Sequence, residues 1–444
     1  MRRIFPAHAY GDAPLGGCYW ADTVPDTALH RPPAEGGLRA DVVIIGAGFT
    51  GMSAALHLAE GGADVIVLEA AFPGWGASGR NGGFCCLGGA KIGDATLRRY
   101  YGEDARRAWR RTEAGAVSLT ADLIARHAIE ADTHSQGETI LAHNIRQMRR
   151  LRDAAPDVAR DYGVTPEVLE AADLPAHGMA GPFQGALTVP IGFALNPRKY
   201  LAGLLNAAEG AGARVHGQSP VEAIKPDGGG LRVSTPRAEV TAKRVILATN
   251  GYSSEDVPAW MAARYLPAQS NVLTTRPLDQ VELDAAGWTS RQMAYDTRNL
   301  LHYFRLMPDN RFLFGMRGGL QSGDAADARI AHLARRHFET MFPAWSHVDT
   351  PHSWSGMVCF SARALPYCGP IPGLPGAFAG FAYHGNGVAM GSYTGALLAD
   401  VAMDRPARLP YPEVMRAPAR RFPLGRMRRA LMWPAYAMAG LSDF

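Results

Sequence analysis

The stretch Asp41-Val42-Val43-Ile44-Ile45-Gly46-Ala47-Gly48-Phe49-Thr50-Gly51 decides how the rest of this 444-residue chain is read. Its first half is a short, fully apolar, β-branched run, the pattern of a strand buried on both faces of a parallel sheet. A glycine-spaced loop follows, then Met52, Ala55, Leu56 and Ala59 recur at helical spacing until Gly61-Gly62. Val65-Ile66-Val67-Leu68 forms a second buried strand, closed by Glu69 and Ala70. Each piece has a job in a dinucleotide-binding βαβ unit. Gly46 makes the tight turn, Gly48 lets the backbone approach a pyrophosphate, and Gly51 lets the helix lie on the strand. Ala47 and Thr50 complete the loop, and the free N–H groups of the helix start suit phosphates. Glu69 stands where a carboxylate accepts from both ribose hydroxyls and repels a 2′-phosphate. A glycine motif alone is weak; strand, loop, helix, strand and acid in order make it specific.

The next segment separates FAD from NAD. Pro73-Gly74-Trp75-Gly76-Ala77-Ser78-Gly79-Arg80-Asn81-Gly82-Gly83 is a glycine-dense polar loop where an NAD domain would proceed to another helix. Backbone able to approach a flat ring, with Ser78, Arg80, Asn81, Gly82 and Gly83 supplying donors, suits a second contact with a large buried cofactor.

With these residues the chain resembles the D-amino-acid oxidase superfamily of FAD enzymes, which includes glycine and sarcosine oxidases, and within it the γ-glutamylputrescine oxidase-like branch. Four stretches carry the likeness. The first is Gly46–Glu69 with the loop Gly76–Gly83. The second runs from Asn196-Pro197-Arg198 through Pro220-Val221-Glu222 to Ala248-Thr249-Asn250-Gly251-Tyr252. The third is Tyr303-Phe304-Arg305 to Arg311-Phe312-Leu313-Phe314-Gly315. The fourth is Trp354-Ser355-Gly356 through Pro366, then Gly380 to Gly385-Asn386-Gly387-Val388 and the helix that follows. The resemblance implies that Val221 pairs its backbone with adenine and that Thr249-Asn250-Gly251 packs near the dinucleotide. It also implies that the helix after Gly387 aims its N-terminus at the flavin pyrimidine, stabilising negative charge there.

The implied reaction removes a hydride equivalent from a C–H bond beside an amine nitrogen to flavin N5, giving an imine that water hydrolyses. Positioning a neutral amine in a dry pocket is most of the catalysis, and no dedicated base is required. The expected pocket residues are Tyr303, Arg305, Tyr383 and His384. Strand alternation puts Tyr303 and Arg305 on one face, where Arg305 can pair with a substrate carboxylate.

The chain departs from its relatives in places. Gly385-Asn386-Gly387 stands where relatives read Gly-His-Gly. Ala389 and Leu313 stand where sarcosine oxidases have lysines for the substrate carboxylate and for oxygen, which leaves the acceptor, oxygen or another, open between oxidase and dehydrogenase. Lys91 is the only lysine close to the cofactor loop. Val358, beside Cys359, matches the position of the cysteine through which some relatives attach FAD, so non-covalent FAD is expected.

Bulk properties set the limits. Hydrophobic residues are 47% and charged residues 19% of the chain, as in globular proteins. A net charge of +4 implies no nucleic-acid partner. Cys18, Cys85, Cys86, Cys359 and Cys368 show no metal-binding spacing, and no metal is expected. They read as thiols of a reduced, cytoplasmic protein, and Cys85-Cys86 as buried small hydrophobes. Arginine supplies all but four of the 45 basic residues, a bias that a GC-rich genome accounts for. No apolar run is long enough to span a bilayer, and the apolar Leu431–Gly440 reads as a packed tail.

The expected fold is α/β: a Rossmann-type FAD-binding domain with a parallel sheet, from residues 1–125, 190–258 and 352–405, and a substrate domain with a mostly antiparallel sheet, from 126–189 and 259–351. The tail 406–444 is expected on the FAD domain. The leading function is oxidation of a C–N bond in a small amine or amino acid. The rivals are a non-catalytic FAD-binding regulatory or structural protein, an amine dehydrogenase and an NAD-dependent dehydrogenase.

Overall fold

Strand Gly36–Ile45 lies at the centre of an eight-stranded sheet, flanked in parallel by Ala238–Leu247 on one side and Val65–Leu68 on the other. The computed structural model describes residues 1–443. Arg214–His216 extends the sheet beyond Val65–Leu68, and Ala377–Phe381 extends it beyond Ala238–Leu247, both in parallel. Antiparallel Tyr367–Pro370 and the hairpin Ala223–Asp227/Gly230–Ser234 complete it. Val42 to Ile44 are fully buried because both faces are covered. Helices Phe49–Glu60, Pro197–Gly210 and Gly387–Ala402 contribute to the core over one face. Val221, Met261, Tyr265 and Phe381 belong to the core on the other. At Gly395 a Cβ would overlap the backbone oxygen of Thr50, so glycine there sets how closely the last helix approaches the first.

The second sheet also has eight strands, in the order His352–Phe360, Leu266–Thr274, Phe312–Arg317, His302–Leu306, Met293–Asp296, Glu138–Leu141, Gly185–Val189, Glu167–Glu170. Every pairing is antiparallel except Met293–Asp296 with Glu138–Leu141. Phe304, Phe312 and Phe314 point to its outer face and pack with Phe338, Phe342 and Trp345. Their sequence neighbours Tyr303, Leu313 and Gly315 therefore face the first sheet.

Two expected boundaries shift. His352–Phe360 pairs along its whole length with Leu266–Thr274, so this segment extends the second sheet and not the FAD-binding one. Ladder hydrogen bonds decide which sheet a segment joins, and they tie His352–Phe360 to Leu266–Thr274. The tail also divides. Val414 and Met415 join the core of the first sheet, but Met432 packs on Leu266 and Ala268 of the second. Among the described residues no helix is long and apolar enough to cross a membrane.

Candidate active site

A cavity of about 690 Å³ opens between the facing sheets, the kind of concave space that small molecules occupy. One end is built from backbone. Gly46 donates its amide to the Leu68 carbonyl at 2.9 Å and holds φ at +103°. A Cβ at Gly51 would overlap the Gly46 carbonyl oxygen, so glycine there fixes how closely the helix follows the turn. The Glu69 carboxylate braces the same loop, accepting from the amides of Ala47 at 2.8 Å and Ala71 at 3.1 Å. Burial pushes that carboxyl up while the amides hold it down, and each oxygen keeps a lone pair for a further donor.

The loop after Glu69 folds over this end. Ser78 Oγ accepts from the amide of Phe49 at 3.0 Å, at the start of the helix. Asn81 bridges the carbonyls of Ala77 and Ser78 and accepts from the Gly83 amide. Arg80 stacks on Trp75, 4.4 Å to the ring centroid, and donates to the Trp75 carbonyl, leaving one Nη buried without an acceptor. Gly46, Gly48, Thr50, Glu69, Ala70, Ser78, Arg80, Asn81 and Gly82 line the cavity, as do Val221, Thr249 and Asn250. Gly385, Asn386, Gly387 and Val388 line it too, with the first turn of the last helix lacking a side-chain cap. Four expected contacts do not line it. Ala47 and Gly51 sit behind the turn, Gly83 packs under the Leu195 carbonyl, and Gly251 packs on Met357 and Cys359.

The other end is built from side chains of the second sheet. Tyr303 and Tyr295 are direct cross-strand partners, and both line the cavity. The Tyr303 ring lies over Gly315, where any Cβ would collide with it, and its hydroxyl bonds Ser270 at 3.0 Å. Two residues beyond Gly315 on the same face, Arg317 enters the cavity. Burial lowers its guanidinium, and among the described residues it forms no ion pair with a carboxylate. Lys91 joins it. Surrounded by protein yet open to the cavity, its ammonium is lowered to about 8 by burial first and by Arg317 next. Behind Tyr295 and Cys86, the carboxyl of buried Glu138 is raised to about 8, chiefly by burial.

Three of the four expected catalytic residues reach the cavity: Tyr303, Tyr383 and His384. Tyr383 is tied to Thr50 at 2.7 Å, linking the two helix starts. His384 is held at φ +53° with both ring nitrogens engaged, Nδ1 by the Gly89 carbonyl and Nε2 by the Ser361 amide. Burial lowers its pKa to about 4, so it serves the loop as a neutral brace. Arg305 does not reach the cavity. It is 0% exposed, donates to the Leu195 carbonyl at 2.7 Å and His134 at 3.1 Å, and lies near the Trp20 and Phe84 rings. Alternation gave its face correctly, but the cavity ends at Tyr303, one step short of it.

A family model described as FAD dependent oxidoreductase matches residues 41–401. The chain belongs to that family. This FAD-dependent oxidoreductase is 30% identical over 392 residues to a probable oxidoreductase OrdL of Haemophilus influenzae, covering 87% of this chain and 88% of the relative. It is 30% identical over 361 residues to a gamma-glutamylputrescine oxidoreductase of Escherichia coli, covering 81% and 83%. Its fold matches a glycine oxidase from Geobacillus kaustophilus at a TM-score of 0.67 and 21% identity, over 84% of this chain and 96% of that one.

The residues present fit the family's cofactor. A glycine-lined turn, an acid with free lone pairs, two helix starts and the unpartnered Arg80 Nη together offer donors and space for a dinucleotide with a ring system. Arg317 and Lys91, and not Arg305, bring positive charge to the cavity lining. Gly315-Met316-Arg317 held the signal, since alternation from Tyr303 across a paired strand reaches Arg317 once the register is known. Lys91 and Tyr295 carried no motif.

Proposed function

We propose that this FAD-dependent oxidoreductase oxidises a C–N bond of a small amine or amino acid that carries an anionic group. The observation behind this reading is the pair of cations, Arg317 and Lys91, at the side-chain end of the cavity. Arg317 would hold the substrate carboxylate, bidentately where geometry allows. The same positive field disfavours a protonated amine nearby, which keeps the nitrogen lone pair free. Tyr303 and Tyr295 would confine the reacting carbon. Bound FAD supplies the acceptor for the hydride equivalent, and the substrate imine is then hydrolysed. The names of the relatives support the substrate class, a gamma-glutamylputrescine oxidoreductase and glycine oxidases among them.

FAD would be held without a covalent bond. Cys359, the thiol nearest the attachment position, is buried in the core with its pKa raised to about 12, which leaves almost no thiolate to react. The five free cysteines support a reducing, cytoplasmic compartment. The electron acceptor, oxygen or another, is read by the rate at which reduced enzyme recovers its colour in air.

The deciding experiment mixes holoenzyme anaerobically with polyamines, their γ-glutamyl conjugates, sarcosine, proline and D-amino acids while flavin absorbance is followed. Bleaching by amines bearing a carboxylate, with plain diamines inert, is expected. Bleaching by plain diamines alone, or by nothing in the panel, overturns the reading.

A further inference from the structure

Helix Met432–Ser442 contains no charged residue. Its inward side is moored. Met432 is buried on Leu266 and Ala268, Tyr436 packs in the same cluster, and the Asp443 carboxylate accepts from the amides of Asn299 and Leu300 at 2.7 and 3.0 Å. At 100° per residue, Ala437, Met438 and Leu441 fall on the opposite side and Trp433 on the flank. Trp433 is 57%, Met438 66% and Leu441 79% exposed. A helix on a protein surface normally turns charged residues outward, and one apolar all round is normally covered.

The approach to this helix is as unusual in charge. Leu424 and Met427 are exposed, and so are Arg416, Arg420, Arg421 and Arg426. No acid occurs between Glu413 and Asp443. Two further arginines fasten the segment to the body: Arg428 bonds both oxygens of buried Glu255, and Arg429 donates to the carbonyls of Ile4 and Leu320. The outward apolar side chains are thus held out by a fixed frame.

We propose that residues 416–442 dock the protein on an anionic phospholipid bilayer. Tryptophan and aliphatic side chains enter the headgroup boundary while arginines meet its negative charge, the combination by which interfacial helices bind. Charge argues against a second copy as the occupant. A two-fold contact centred on this helix would bring four exposed arginines of each copy together with no acid in the segment to offset them. The docking face adjoins the substrate end of the cavity, because Asp443 holds the loop that leads to cavity-lining Leu301.

The test is co-sedimentation of the full chain, loaded with FAD, with vesicles of phosphatidylglycerol and phosphatidylcholine. The bound fraction should fall at least tenfold with phosphatidylcholine alone, and again when Trp433→Ser, Met438→Ser and Leu441→Ser are combined. The exposed-site variant Arg420→Glu/Arg421→Glu/Arg426→Glu, which leaves the moorings untouched, should lose binding to anionic vesicles and retain FAD. That variant decides the matter if the serine variant fails to fold. Failure of the unaltered protein to sediment with anionic vesicles, or equal binding by the arginine variant, overturns the proposal. A dimer in solution that the serine substitutions dissociate, without vesicle binding, assigns the face to a second copy instead.

Discussion

The two walls of the cavity are made of different material. The parallel sheet presents backbone: glycines at a turn, helix starts and one acid whose oxygens are already oriented by amides. The antiparallel sheet presents side chains: Tyr295, Tyr303 and Arg317, brought together from three strands by register alone. A backbone wall can be broken by adding a single atom. A side-chain wall changes specificity when a residue is removed and leaves the fold standing.

The sharpest test of the contrast is Gly51→Ala, whose Cβ has no room beside the Gly46 carbonyl. It should cost about 3 kcal/mol or more by overpacking and yield colourless protein, read as flavin per mole and as thermal midpoint. A stable yellow variant would mean that the turn yields. Arg317→Ala should keep its flavin and raise KM for a carboxylate-bearing substrate by roughly 10–100-fold, the size of a charged hydrogen bond of about 1.5–3 kcal/mol. Unchanged KM would remove Arg317 from the substrate site.

Arg305→Ala separates face from site. It strips the Leu195 carbonyl and His134 of their donor, so stability should fall by about 1–3 kcal/mol. KM should change less than for Arg317→Ala. A larger KM effect at Arg305 would return the substrate role to it.

A test of a different kind is a pH dependence. The Glu138 carboxyl is raised to about 8 in the folded chain, against about 4.3 when unfolded. A raised folded value means that its contribution is fully present below about 4.3 and is lost as pH rises toward 8, because only the unfolded chain then releases the proton. Glu138→Gln should therefore raise the thermal midpoint relative to the parent more at pH 8 than at pH 5. Equal gains at both pH values would show that the carboxyl titrates in its ordinary range.

The contrast between the walls also explains which residues were legible in advance. Gly46, Gly48, Glu69 and the loop Gly76–Gly82 announce themselves because turns and close approaches restrict residue type locally. Tyr303 lines the cavity on a strand that carries a family likeness. Arg305 shares that face but lies beyond the end of the cavity, whose length along the strand alternation does not give. His384 precedes the last helix as expected, but both its nitrogens are committed to backbone partners from Gly89 and Ser361, segments remote in sequence.

By itself the sequence determined the first βαβ unit, its dinucleotide turn, the acid that braces it and the glycine-led last helix, since each is set by neighbours within about thirty residues. Tertiary structure alone decided that His352–Phe360 joins the second sheet, that Arg317 rather than Arg305 faces the cavity, and that Lys91 stands beside it. Those outcomes depend on strand register and on packing between segments beyond each other's local neighbourhood, where a shift of one residue turns a side chain to the opposite face.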